Sequence, residues 1–534
     1  GRSEWHNGVK MEGERILIDS LNRRFRVKVP VGLSETPPNL RIAKASKPWR
    51  IYFRMLGTVL PAFFLMYTSL FMVMGAVELE PILVLSSALC SLPLVFLIFR
   101  LHRPRLIHVR LAVPDDNGSE AHALSEGGSL RTPVKTSLSR FLVKDDSILD
   151  MPPSRQLWAI FAVTVSIGVI LTVLLLQSTT EIVGKSLFIL LAIPLWLIGF
   201  SLPVLAWWGT STTLLGLPTR RRDAESWLIA GMASAFPAII FNSLVAPELI
   251  PSSLVDWSAQ LSLLAIGAPL CEEVFKALAV AIFLPSIKGP KQGFQIGFTV
   301  GLGFALIENL QYIGASLFGG PISTTMTILV RGIGSIPAHA VWTAISGTAI
   351  GWMATDKKFK ARMSWRAQSL AIRAIDIAER AGIDADGDGD LSGFDGARPT
   401  LEEAIDSASA EQSDFEDSWF LIDPRTGTPT NPVHTTKTNL EGFSVTYDKG
   451  AGAIKSAASL SPKKFSLALG LAIAGHSFWN ASSFLSYHAP TAWLGMSEAE
   501  GVLVMLAWTL ILIVSVLVVA RRLLSGIQNL DSDF

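Results

Sequence analysis

About ten apolar runs, each long enough to cross a bilayer, recur along this 534-residue chain, at roughly 51–76, 81–99, 157–176, 187–208, 226–247, 259–284, 292–318, 322–353, 464–489 and 499–520. A hydrocarbon core of ~30 Å takes roughly 20 residues of helix to span, and inside it every backbone polar group must find an internal partner. The runs therefore point to an all-α polytopic membrane protein of about ten transmembrane helices. Composition agrees, with 50% of residues hydrophobic and only 17% charged, which is not the make-up of a soluble domain. The 45 basic and 44 acidic side chains nearly cancel, so no nucleic-acid partner is expected. Cys90 and Cys271 both lie in apolar runs, where a thiol acts as a small hydrophobe rather than a redox staple.

Lys and Arg sort the connections into two alternating sets, which orients the chain. The basic set holds Arg41, Lys44, Lys47 and Arg50 before the first run, Arg100, Arg103 and Arg105 after the second, and Arg220 to Arg222 after the fourth. It continues with Lys288 and Lys291, with Lys357, Lys358 and Lys360, with Lys463 and Lys464, and with Arg521 and Arg522. The stretches 77–80, 246–258 and 318–323 lack such residues. An even number of spans with both termini cytoplasmic follows, and the expected location is the plasma membrane, with the lipid bilayer as a partner.

This divides the chain into a cytoplasmic N-terminal arm (1–50), N-terminal spans with a cytoplasmic loop at 100–156 (51–225), core spans (226–353), a cytoplasmic insert (354–463), C-terminal spans (464–520) and a tail (521–534). In the arm Phe25, Val27 and Val29 alternate with Arg24, Arg26 and Lys28, and Ile107, Val109 and Leu111 alternate in the loop. Period-two patterning predicts short strands, paired into a small basic β layer. The insert opens with a helical pattern near 361–381, and Thr400 with Glu403 form a capping box for a second helix. Phe443, Val445 and Tyr447 alternate as a strand.

Between those two helices lies an EF-hand-like loop. Asp384, Asp386 and Asp388 take positions one, three and five, Gly389 the turn position, Leu391 the apolar eighth and Asp395 the twelfth, with Asp390 between. This is ligand spacing for Ca²⁺, although Asp at position twelve reaches less far than the usual Glu.

Ionisable residues within apolar runs cost ~2.5 kcal/mol or more each and are functional candidates on that ground. They cluster in four consecutive runs: Glu272, Glu273 and Lys276; then Glu308 with Phe304, Asn309 and Tyr312; then Arg331 and His339; then His476 with Asn480. At ~1.5 Å of rise per residue, Glu272, Glu308, His339 and His476 fall within a few turns of their run centres. Glu272 and Lys276 are four apart and can pair, leaving Glu273 to project about 100° away. Phe304, Glu308 and Tyr312 share one helix face, as do His476 and Asn480. Small residues such as Gly297, Gly301, Gly303, Gly332, Gly334, Gly347, Gly351 and Gly475 permit close helix packing. Taken singly, a buried His or Asn commonly serves packing, and Arg331, nearer a helix end, is expected to be a snorkelling anchor. Four helices contributing at one depth make a shared polar site the expectation.

A carboxylate in a low-dielectric site can take a proton from water attacking a peptide carbonyl, and Glu273 is the residue expected to act as that base. His339 and His476 could orient the water or, with a carboxylate such as Glu308, hold a Zn²⁺. Asn480 could donate to the developing oxyanion, and Tyr312 could assist or protonate the leaving amine. Spacing leaves metal-free glutamate chemistry and metal-assisted hydrolysis both open.

Glu-Glu-x-x-Lys at 272–276, Phe-x-x-x-Glu-Asn-x-x-Tyr at 304–312, the isolated His339 and His-x-x-x-Asn at 476–480 resemble the motif series of PrsW-type intramembrane proteases, part of a wider group with the CAAX prenyl endopeptidases. The resemblance spans roughly residues 225–490. The CAAX branch carries Arg four after the second Glu and His in the second motif; Lys276 and Glu308 here match the PrsW branch instead. The resemblance implies a catalytic set of Glu272, Glu273, Glu308, His339, His476 and Asn480, with Lys276, Asn309 and Tyr312 in support. It implies hydrolysis of a peptide bond in membrane-protein or lipidated substrates. The competing class is a proton- or ion-coupled transporter, which uses similar midplane carboxylates and histidines. A third reading makes the spans an anchor for the insert.

Overall fold

The structure, a computed structural model, describes residues 47–103, 106–123, 129–144, 147–177, 180–251, 253–382 and 462–528. It also describes short pieces at 14–18, 24–28, 392–394, 396, 398, 400–405, 421–422 and 429–430. The calcium-type ligands Asp384, Asp386, Asp388, Asp390 and Asp395, and the alternating Phe443, Val445 and Tyr447, lie outside the described residues.

Every apolar run lies in helix. In chain order the helices are α1 (Trp49–Val77), α2 (Pro81–His102), α3 (Ser154–Leu176), α4 (Glu181–Leu215), α5 (Arg221–Ile240), α6 (Asp256–Ser262) and α7 (Ala268–Ala281). They continue with α8 (Pro290–Ser316), α9 (Gly320–Val330), α10 (Ile336–Thr355), α11 (Lys357–Arg380), α12 (Phe465–His488) and α13 (Glu498–Gln528). Proline opens two of them, at Pro81 and Pro290, where its missing N–H has no helical partner to lose. By length and apolarity, 7 helical stretches among the described residues can cross a membrane, with 290–355 counted as one. The runs at 256–281 and 465–488 fall outside those seven. They carry Glu272, Glu273, Lys276, His476 and Asn480, and the first is interrupted by the π-helical turn Leu263–Gly267.

The strands are antiparallel hairpins, Glu14–Ile18 with Arg24–Lys28, and Leu106–Ala123 with Ser129–Lys144. With the short pair Leu421–Ile422 and Pro429–Thr430 they make three separate two-stranded sheets among the described residues; the arm and the loop do not join into the expected single β layer there. The capping box is present, with Glu403 accepting from the Thr400 N–H at 2.8 Å and Thr400 Oγ1 from the Glu403 N–H at 3.2 Å. Just before it, Arg398 donates to Asp376 on α11, and the Phe394 N–H does the same. These contacts, the Arg398 hydrogen bond foremost, hold the Asp376 carboxyl below its ordinary range.

The centre of the bundle is the antiparallel pair α8 and α10. Phe294, Phe298, Leu302 and Leu306 on α8 and Ile336, Ala340, Ala344 and Ala349 on α10 are buried. Their backbones meet along glycine: a Cβ at Gly293 would strike the Gly347 carbonyl, one at Gly297 that of Thr343, and one at Gly301 that of His339. Gly231 and Gly303 do the same where α5 crosses the other side of α8. With no hydrophobic drive between helices in lipid, such close approach supplies the packing energy. A second brace joins α1, α2 and α5, where buried Glu225 accepts from Arg54 at 2.9 Å and lies 3.4 Å from His102 Nδ1.

Gly301→Ala is expected to destabilise the folded bundle by about 1–3 kcal/mol, the range for overpacking. Gly470→Ala, where an added methyl meets nothing, should be neutral or slightly stabilising. Thermal unfolding of the purified protein followed by tryptophan fluorescence checks both; equal midpoints would remove the glycine seam as a source of stability.

Candidate active site

The four motifs converge. Lys276, with no exposed surface, spends its three N–H bonds inside the cluster: its Nζ lies 2.8 Å from Glu273 Oε1, 3.3 Å from Glu272 Oε2 and 2.9 Å from His339 Nδ1. The ammonium also sits 3.9 Å from the centre of the Phe304 ring, a favourable position for a cation over a π face. The expected Glu272–Lys276 pair forms, but Glu273, three residues before Lys276, is the closer partner rather than projecting away from it.

Because Nδ1 of His339 accepts from Lys276, its proton is assigned to Nε2, which faces Glu308 Oε2 at 2.7 Å. Arg331 Nη2 lies 2.6 Å from the same oxygen, and its Nε donates to Asn309 Oδ1. The guanidinium covers the Tyr312 ring at 4.0 Å. Arg331 is therefore not the snorkelling anchor that its position implied; its side chain is 14% exposed and bound to the site. The available signal was its place inside an apolar run about two turns from His339.

His476 comes from α12. Its Nδ1 is 3.0 Å from Glu273 Oε1, and its ring stacks on Trp342 at 4.7 Å and 15°. The free Nε2 points toward Glu272, 3.9 Å from Oε2. Asn480, one turn on, donates from Nδ2 to the Leu264 carbonyl at 3.1 Å. Trp342 had no place in the sequence reading, and nothing separated it there from the other apolar-run tryptophans.

A cavity of about 310 Å³ opens against Glu272, Glu308, Tyr312, Arg331, His339 and Asn480. Its wall also includes Asn242, Leu263, Leu264 and Ser335, all of which belong to π-helical turns: Phe241–Val245, Leu263–Gly267 and Arg331–Ser335. Such turns occur disproportionately at functional sites. Glu273 is not on this wall; its side chain is 0% exposed and is enclosed by Lys276 and His476.

One ligand atom from each of Glu272, His339 and His476 falls within 4.8 Å of the others. A carboxylate with two imidazoles is a donor set for a catalytic metal that keeps a position open. Glu273 on His476 Nδ1 supplies the outer carboxylate that leaves Nε2 as the donor. The residues present fit a metal once His339 gives up its Glu308 or Lys276 partner, since both of its nitrogens are engaged here; the convergent carboxylate is Glu272, whereas the sequence reading named Glu308.

No curated protein and no solved structure matches the chain. His476 and Asn480 reach the site from beyond the stretch that matches a family model. Residues 226–375, which hold Glu272, Glu273, Lys276, Glu308, Asn309, Arg331 and His339, match the model of the PrsW family of intramembrane metalloproteases, and this part of the chain is similar to that family of membrane-embedded peptidases.

Proposed function

We propose that the chain is an intramembrane endopeptidase that hydrolyses peptide bonds of membrane-protein or lipidated substrates, with water activated between Glu272, Glu308, His339 and His476. One observation carries the reading: a cavity inside an apolar bundle whose wall combines two carboxylates, an imidazole and two amides. Glu272 takes the proton of the attacking water and returns it to the leaving amine. His339, fixed between Lys276 and Glu308, and His476, fixed by Glu273, orient the reacting groups. Asn480 turns its amide from the Leu264 carbonyl to the developing oxyanion. Were a metal bound, Glu272, His476 and, on releasing Glu308, His339 would hold it, Glu272 acting then as a ligand rather than as the base, and the metal would supply a lowered pKa of water and a polarised carbonyl. Glu273, the base of the sequence reading, becomes a positioning residue, because it contacts Lys276 and His476 but not the cavity.

About ten spans, both termini in the cytoplasm and a plasma-membrane location complete the reading, supported by the alternation of Lys and Arg between connections. The loop from Asp384 to Asp395 is read as a Ca²⁺ site on its ligand spacing, supported by α11 before it and the Thr400-capped turn after it.

Glu272→Gln should lower cleavage of a transmembrane peptide library by at least ~10²-fold, the low end for a general base. Glu273→Gln should cost ~10–100-fold, as outer-shell substitutions do, with metal content falling alongside. Activity assays and metal analysis of the purified variants check both. Full activity in Glu272→Gln with none in Glu273→Gln would return the base to Glu273.

Millimolar Ca²⁺ should raise the thermal midpoint of the full chain, and Asp384→Ala with Asp388→Ala should erase the rise. An unchanged wild-type midpoint would leave the loop a solvated acidic turn.

A further inference from the structure

The helix α11 follows α10 after a single residue, Asp356, which caps it by accepting from the Phe359 N–H. Because α10 ends a membrane-crossing stretch, the first turn of α11 starts at the bilayer surface. Its sequence repeats one unit at seven-residue intervals: Met363-x-x-Arg366, Leu370-x-x-Arg373 and Ile377-x-x-Arg380. At about 100° per residue, seven positions nearly complete two turns, so the three apolar side chains form one narrow stripe with the arginines along one flank.

That stripe is open among the described residues. Met363, Leu370 and Ile377 are 39%, 65% and 66% exposed, and Arg366, Arg373 and Arg380 are exposed beside them. The opposite face is already used: Ala361, Ile372 and Glu379 are buried, and Glu379 Oε2 accepts from the Gly393 N–H at 2.6 Å. The charge is one-sided as well. The helix carries Lys357, Lys358, Lys360, Arg362, Arg366, Arg373 and Arg380 against two acids, Asp376 and Glu379. Both acids are turned to the 392–398 segment rather than to the stripe.

We infer that α11 lies along the membrane surface, with Met363, Leu370 and Ile377 in the headgroup boundary and Arg366, Arg373 and Arg380 bound to anionic lipid phosphates. An amphipathic helix with a basic flank is the form that such a surface recognises. A cluster of Lys and Arg immediately beyond a span is drawn to anionic headgroups in the same way. Arginine suits the flank because its stem covers apolar surface while its guanidinium stays at the phosphate level. The inference does not depend on the peptidase reading. Through Asp376 and Glu379, it would also tether the 392–398 segment to the bilayer.

The test uses the full chain carrying Cys90→Ser, with a spin label at Leu370→Cys; Cys271 is buried. The protein is reconstituted in nanodiscs of phosphatidylcholine alone or of phosphatidylcholine with phosphatidylglycerol. Accessibility of the label to oxygen relative to a water-soluble nickel chelate should rise severalfold when phosphatidylglycerol is present. The rise should disappear in Arg366→Gln with Arg373→Gln and Arg380→Gln, and a label at exposed Gln368 should stay in water throughout. Three results overturn the inference: a label equally exposed to water in both bilayers, one oxygen-rich in both alike, or one shielded from both reagents by the rest of the chain.

Discussion

The ammonium of Lys276 has no solvent contact, and two carboxylates, an imidazole and an aromatic ring close around it. Three carboxyl groups within an apolar bundle call for opposing charge close by. Two cations supply it, Lys276 beside Glu272 and Glu273, and Arg331 beside Glu308. A buried pair of this kind contributes little net stability, but losing one partner leaves an uncompensated charge worth about 3–5 kcal/mol. Lys276 also sets the tautomer of His339 and, through Glu273, the orientation of His476. One side chain thereby connects the electrostatics of the cluster to the direction in which its imidazoles point.

The glycine seam explains why these groups meet. Gly301 packs on the His339 carbonyl, so the two helices are registered at that level. Moving seven residues along α8 reaches Glu308, and moving eight back along its antiparallel partner reaches Arg331. Both steps are about two turns in the same direction, and the Glu308 to Arg331 ion pair closes there. Side chains in a helix lean toward its N-terminus, which carries Glu308 back toward His339 and His339 forward to meet it.

Much of this was legible in residue order. Apolar runs locate helices because lipid admits little else, and polar residues inside those runs stand out because burial penalises them. The conjunction of Glu272, Glu308, His339 and His476 could therefore be read as one site. Adjacent residues were harder to separate: Glu272 and Glu273 differ by about 100° on a helix, and which of them faces the cavity depends on how α7 is rotated against α8, α10 and α12. Arg331 was misread because end-of-helix and mid-site arginines look alike until the partner is known. Strand pairing in the arm and the 100–156 loop was visible as alternation, but alternation does not say which strand pairs with which.

The π-helical turns around the cavity have a further meaning. A π turn is an α-helix holding one residue more than its pitch accommodates. Removing a single residue between Arg331 and Ser335 would tighten that turn, while the α-helical turns on either side, whose phase the wide turn already preserves, keep their orientation. Arg331 and Ser335, which line the cavity, belong to the turn that would be rewound, so the wall would change there while the glycine seam of α10 stayed where it is. The wall of the cavity is thus encoded partly in residue number, and a change in length by one residue can unmake it without touching the helices on either side of the turn.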